Sequence, residues 1–326
     1  MNILVTGGAG FIGSHTCERL LRDGHRIVII DDLNNFYSPS LKRENLAQLG
    51  EYGQVAFYQT DICNAAEVSR IVADHQPEAI LHLAARAGVR PSLEQPLLYE
   101  RVNVQGTIVL LEAARQSGVR KFIFASSSSI YGAASQAPFS ESDLSNLPIS
   151  PYAATKLAGE KLCYTWSHLY GIQAVCLRFF TVYGPRQRPD LAIRKFSEKI
   201  AGGQPISLFG DGTTGREYTF VEDIADGIVK ALHYDRAPYD IFNLGNSSPV
   251  SLLTLVRTIE EIVGRKAIIE WLPEQPGDVP ITFADISKAR RLLGYAPATP
   301  LAEGIRKFVD WHLHRHSSLA ATAQAV

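Results

Sequence analysis

The chain has 326 residues, 46% of them hydrophobic and 20% charged, with a formal charge of −1. That balance supplies an ample core for a folded α/β protein. It excludes a disordered chain and gives no basic excess for general nucleic-acid binding. No stretch approaches the roughly 18 apolar residues of a membrane span, so small molecules are the expected partners, with no nucleic acid and no membrane. Met1-Asn2 runs straight into the first predicted strand, leaving no room for a signal peptide, and a cytoplasmic location is expected. Cys17, Cys63, Cys163 and Cys176 lack CxxC spacing and read as reduced thiols. His312, His314 and His316 stand at i, i+2 spacing, which splays side chains apart on a helix, so no metal site is expected.

Asn2 to Thr6 reads as a short buried strand that enters Gly7-Gly8-Ala9-Gly10-Phe11-Ile12-Gly13. A helix with apolar residues at Ile12, Cys17, Leu20 and Leu21 follows, then a second strand, Arg26 to Ile30, ending in Asp31. Glycines at positions 8, 10 and 13 allow a tight turn and a close backbone approach to a pyrophosphate at the helix N-terminus. Ser14-His15 follows where a triphosphate-binding loop needs lysine, so that alternative falls. Asp31 chooses the cofactor: a carboxylate there accepts hydrogen bonds from a ribose 2′-hydroxyl and repels a 2′-phosphate. The cofactor is expected to be NAD. Asp32 adds a second negative charge, and Lys42 and Arg43 temper it.

Strand-like segments at 54–59, 79–83, 121–125 and 173–178 alternate with helical stretches near 64–74, 96–117 and 151–170. This rhythm predicts an α/β fold, a Rossmann-type doubly wound parallel sheet. Ligands gather at the carboxyl ends of such strands. Gly7, Gly10, Phe11, Ile12, Gly13, Asp31, Asp61, Ile62, Leu83, Ala84 and Ala85 are therefore expected around the dinucleotide, Asp61 meeting its adenine edge. Beyond residue 180 the pattern loosens into loops and scattered helices near 191–201, 251–263, 286–293 and 302–314, a smaller C-terminal substrate-binding lobe. Residues 221–246 are expected to return to the first lobe. The division becomes 1–180 plus 221–246 for the cofactor and 181–220 plus 247–316 for the substrate, with 317–326 a frayed tail.

Tyr152 and Lys156 are four residues apart in a predicted helix and so share a face. An ammonium beside the phenol favours its ionised form. The unperturbed phenol has a pKa of about 10, and a base working at neutral pH asks for a drop of about 3, or about 4 kcal/mol. One lysine supplies part of that, and a cationic cofactor more.

The glycine motif, Tyr152-x-x-x-Lys156 and Arg178-Phe179-Phe180-Thr181-Val182-Tyr183-Gly184-Pro185 resemble the extended short-chain dehydrogenase/reductase family of sugar-nucleotide epimerases and dehydratases. Leu41-Lys42-Arg43, the run His82 to Arg90, Gly184 to Asp190, and Gln275 to Pro280 resemble its UDP-glucuronate 4-epimerase subgroup. The resemblance implies Ser127 as the catalytic serine, Tyr152 as base and Lys156 as its activator. Tyr152 and Lys156 also touch the cofactor in such enzymes, and Asn103 matches a cofactor-contacting asparagine. Gln275 and Asp278 resemble nucleotide-contacting positions, although many relatives place arginine at the former. A homodimer through the helices at 96–117 and 151–170 is usual in the family.

A base of this kind takes the proton from a sugar hydroxyl, bridged by Ser127, while the carbon passes hydride to nicotinamide. If the resulting 4-keto sugar turns over before hydride returns, the stereocentre inverts. A firm grip on UDP with a looser one on the ring is required, and Arg216 suits the diphosphate. Ser128 and Ser129 occupy positions where dehydratases and decarboxylases carry acids, which counts against both activities. With Thr181 they are expected to restrain a C5 carboxylate, with Arg188 as counter-charge. The expected activity is an NAD-dependent isomerase acting on a UDP-sugar, UDP-glucuronate first. The alternatives are UDP-glucose or UDP-N-acetylglucosamine as substrate, or a non-catalytic NAD-binding sensor.

Overall fold

A computed structural model of the chain describes residues 1–133, 136–143, 147–273 and 281–324, the last eleven as backbone alone. Strands and helices alternate from the start: β1 (Asn2–Thr6), α1 (Phe11–Arg22), β2 (Arg26–Asp31), α2 (Pro39–Leu49), β3 (Val55–Gln59), α3 (Ala65–His75) and β4 (Ala79–His82). Two short helices, α4 (Val89–Glu94) and α5 (Pro96–Glu100), lead through one π-helical turn (Arg101–Gln105) into α6 (Gly106–Gln116). β5 (Lys121–Ser127), a 3-10 turn (Ser128–Tyr131), α7 (Pro151–Tyr170) and β6 (Gln173–Phe179) follow. The second half carries β7 (Val182–Tyr183), α8 (Ala192–Ala201), β8 (Pro205–Phe209), β9 (Gly215–Glu217), β10 (Thr219–Phe220), α9 (Val221–Leu232) and β11 (Tyr239–Leu244). It closes with β12 (Pro249–Ser251), α10 (Leu252–Val263), β13 (Ile268–Leu272), β14 (Ile281–Thr282), α11 (Ser287–Leu293) and α12 (Leu301–Gln324).

The central sheet has seven parallel strands in the order β11-β6-β5-β4-β1-β2-β3. Every residue of β4 and β5 is buried, as strands covered on both faces by helices require. The reversal of strand order beside β1 opens a crevice at the carboxyl ends of the strands. Residues 239–244 pair with β6 in parallel, so the chain does come back to the first sheet after its excursion.

Three differences from the sequence reading have local causes. The helix expected over 96–117 runs over 96–116 but carries one π turn at Arg101–Gln105, where Asn103 is buried. Residues 181–220 and 247–316, expected to hold only helices and loops, also contain seven short strands outside the central sheet among the described residues, β7 to β10 and β12 to β14. Segments of two to five residues are too short to display a clear alternation. The last helix runs to Gln324, through the segment expected to be a frayed tail; Ala320, Ala321 and Ala323 are strong helix formers. Two buried apolar clusters line the faces of the central sheet, and a third, including Phe196, Leu255, Ile259 and Phe308, lies among α8, α10 and α12.

Candidate active site

One cleft collects nearly all the residues expected around a dinucleotide. Gly7, Gly10, Phe11, Ile12, Gly13, Asp31, Asp61, Ile62, Leu83, Ala84 and Ala85 line it, together with Tyr152, Lys156 and Arg188. Gly7 has φ +72°, and a side chain there would meet the Ala84 backbone nitrogen at 2.7 Å, so only glycine lets the turn close on β4. Helix α1 starts at Gly10 without a side-chain cap, which leaves its first-turn N–H groups available to an anion. Asp31 Oδ2 accepts from Ala9 N at 3.2 Å and Oδ1 from Leu33 N at 2.9 Å. The carboxylate thus binds the glycine turn to the end of β2. Burial raises its pKa above the ordinary value, against the opposing effect of the Leu33 N–H and Lys42. Lys42 itself is buried, donates to Asn34 O at 2.9 Å and lies over the Tyr37 ring. The cradle, the bare helix terminus and the carboxylate beyond the second strand fit NAD.

Asp61 accepts from Arg101 Nη2 at 2.6 Å and from Cys63 N at 2.9 Å, at the rim of the cleft. Asn103 stands behind the wall. Its Oδ1 accepts from Arg86 N at 2.8 Å, and its Nδ2 donates to Arg86 O and Thr155 Oγ1, both at 3.0 Å. These bonds engage both ends of the amide and tie the loop after β4 to α7.

Helix α7 is set by local chemistry. Ser150 caps it by accepting from Ala153 N at 3.2 Å, Pro151 occupies the first turn, and Gly171 ends it in the left-handed conformation. Tyr152 packs edge-on against Tyr99, with ring centroids 6.2 Å apart. Its phenol lies above the ordinary value, chiefly through desolvation, while a hydrogen bond with Ser127 and the charge of Arg188 pull the other way. Lys156, expected to depress that phenol, instead donates to Ala125 O at 2.7 Å with its ammonium 5.1 Å from the Phe124 ring centroid. Burial lowers the ammonium to about 8. Ser127 Oγ also accepts from Ser129 N at 3.2 Å and donates to Ser129 Oγ at 3.1 Å.

Arg188 forks onto Asp190, with Nε and Nη2 at 2.9 and 2.8 Å from its two oxygens, and lies over the Phe36 ring. Ser128 and Ser129 are half-buried at the end of β5, and Thr181 is exposed past β6. Arg216 sits on β9, outside this cleft, and donates to Gly215 O at 2.8 Å. Gln275 and Asp278 lie outside the described residues. The sequence reading missed Phe36, Tyr37, Arg86 and Phe179, which also line the cleft. They sit in loops or at a strand end with no spacing to mark them.

The model of the NAD dependent epimerase/dehydratase family matches residues 3–245. A UDP-glucuronate 4-epimerase of Thermodesulfobacterium geofontis is 43% identical over 309 residues, 94% of this chain and 95% of that protein. The crystal structure of UDP-glucuronic acid 4-epimerase from Bacillus cereus, in complex with UDP-glucuronic acid and NAD, superposes with a TM-score of 0.88 at 39% identity. It covers 95% of this chain and 98% of that one. UDP-glucose 4-epimerase from Thermotoga maritima with UDP-glucose gives a TM-score of 0.89 at 33% identity, over 97% and 99% of the two chains. With the family model spanning the sheet that carries the cleft, and full-length relatives beyond it, the chain belongs to the NAD dependent epimerase/dehydratase family.

Proposed function

We propose that this chain is an NAD-dependent 4-epimerase that interconverts UDP-glucuronate and UDP-galacturonate. The meeting of Tyr152, Lys156 and Arg188 in one cleft with the glycine turn carries the reading. Full-length similarity to a UDP-glucuronate 4-epimerase supports the substrate.

Tyr152 Oη, bridged by Ser127, takes the proton of the sugar C4 hydroxyl and later returns it. NAD, when bound, supplies hydride acceptance and return at that carbon. Lys156 holds the end of β5 through Ala125 O and keeps a positive charge on the cleft wall. Arg216 and the segment containing Gln275 and Asp278 retain UDP while the ring presents its other face.

The 4-keto uronate is a β-keto acid, which loses carbon dioxide when the C–CO₂ bond stands perpendicular to the carbonyl. Ser128, Ser129 and Thr181 are assigned to hold the carboxylate out of that alignment, with Arg188 as counter-charge. Incubation of the protein with UDP-glucuronate and NAD, followed by NMR of the product, tests the whole reading. UDP-galacturonate is expected, and conversion of UDP-glucose alone would replace the uronate with a neutral sugar.

The lobe division is read as 1–180 plus 221–246 and 181–220 plus 247–316, supported by the separate buried cluster among α8, α10 and α12. A homodimer is read from exposed Leu93, Leu97, Tyr164, Leu169 and Tyr170 on α4, α5 and α7, and light scattering tests it. Four free thiols suit a cytoplasmic enzyme.

A further inference from the structure

The last three residues of β5 each meet the same face of α7. Ala125 O accepts from Lys156 Nζ at 2.7 Å, Ser126 Oγ donates to Glu160 Oε1 at 2.5 Å, and the Ser127 hydroxyl acts on the Tyr152 phenol, pulling it down against burial. Positions 152, 156 and 160 form one stripe, each one helical turn beyond the last. Glu160, the third member, is fully buried. Arg178, the sheet partner of Ser126, reaches the same carboxylate with Nε and Nη2 at 2.9 and 2.8 Å. Its guanidinium stacks over Tyr131, 4.8 Å from the ring centroid, and Tyr131 donates to Asn243 Oδ1 at 2.7 Å. The helix lies tight on the strand, since a side chain at Gly159 would meet the Phe124 ring at 2.2 Å.

A buried ion pair is a poor way to gain stability. Desolvating two charges costs about as much as their attraction returns, and an apolar pair of similar volume often serves as well. What this pair gives that an apolar pair cannot is direction: one carboxylate fixes the hydroxyl of Ser126 and so the register of β5 against α7. We infer that Glu160, braced by Arg178, is a positioning residue that holds β5 on α7 so that the Ser127 and Tyr152 hydroxyls meet. The consequence for turnover rests on the proposed role of Tyr152 as base; the consequence for its titration does not.

The test uses Glu160→Met/Arg178→Met, which removes the charges without leaving one unpaired, and Ser126→Ala, which removes one buried hydroxyl. Carbon-labelled tyrosine NMR follows the titration of Tyr152, its signal assigned with Tyr152→Phe, alongside thermal unfolding and steady-state kinetics on UDP-glucuronate. Both variants are expected to fold, with the Tyr152 midpoint raised by about one unit as the Ser127 bond weakens. A fall of about tenfold in kcat with KM within about twofold is expected too. Should the double variant not fold, Ser126→Ala carries the same test. An unchanged Tyr152 titration in a folded variant overturns the inference. Wild-type protein inert toward UDP-glucuronate defeats the functional reading instead, because the NMR titration needs no turnover.

Discussion

Arg188 shares the cleft with Tyr152, and its guanidinium opposes the effect of burial on the phenol, while the ammonium of Lys156 is turned to Ala125 O. Arg188 comes from the loop between β7 and α8, and that loop is fastened to α1: His15 Nε2 pairs with Pro185 O at 2.9 Å, and Arg186 with Glu18 at 2.8 Å. Burial pushes the His15 imidazole down to about 4, so it is neutral at physiological pH. The helix that opens at the glycine turn thus also anchors the loop that carries Arg188.

Removing that cation leaves the desolvation of Tyr152 less opposed. Arg188→Leu is expected to raise the phenol further and to move the acid limb of the kcat–pH profile upward by about one unit. KM for UDP-glucuronate should rise as well, since the substrate carboxylate loses its counter-charge. A profile that stays in place would return the electrostatic role to Lys156.

Asp31→Asn keeps an acceptor for the turn but removes the negative charge. Preference for NAD over its 2′-phosphorylated form is expected to fall by roughly tenfold or more, read as a ratio of dissociation constants. Burial raises the pKa of the Asp31 carboxyl, so NAD affinity of the wild type should weaken as pH drops toward that value. The asparagine variant should show no such loss.

Thr181→Ala tests the carboxylate restraint. The threonine accepts from Thr219 N at 2.8 Å through its backbone oxygen, so shortening the side chain spares the link between the strands. Release of UDP-pentose relative to UDP-galacturonate is expected to increase several-fold, on the order of 1 kcal/mol in partition. Product ratios from chromatography equal to those of the wild type would place the restraint on Ser128 and Ser129 alone.

Glu217, on β9, joins two loops of the second half by accepting from Asn246, Ser247 and Ala284 N–H groups at 2.9, 2.8 and 2.8 Å. Burial nevertheless pushes its carboxyl up from 4.5 to about 7. The folded state then holds this proton more tightly than the unfolded chain does. Its stabilising contribution is complete below pH 4.5 and fades as pH rises through about 7. Across that window, urea unfolding of the wild type should lose about 3 kcal/mol relative to Glu217→Gln. Parallel stability curves for the two proteins would contradict this.

Much of the site was written locally. The glycine turn, Asp31 at the end of β2 and the Tyr152/Lys156 spacing are short-range patterns, and each reflects a constraint within one turn or one helical step. The parallel sheet followed from strand–helix alternation, because a crossover helix is what allows adjacent parallel strands. Tertiary structure decided what faces what. It turned Lys156 toward Ala125 O, placed Asn103 behind the wall, brought Arg188 to Tyr152, and sealed Glu160 against Arg178. None of these pairs has a sequence period, since each joins segments whose separation is set by the fold. Charge acts through distance and burial, and both exist only once the chain has closed on itself.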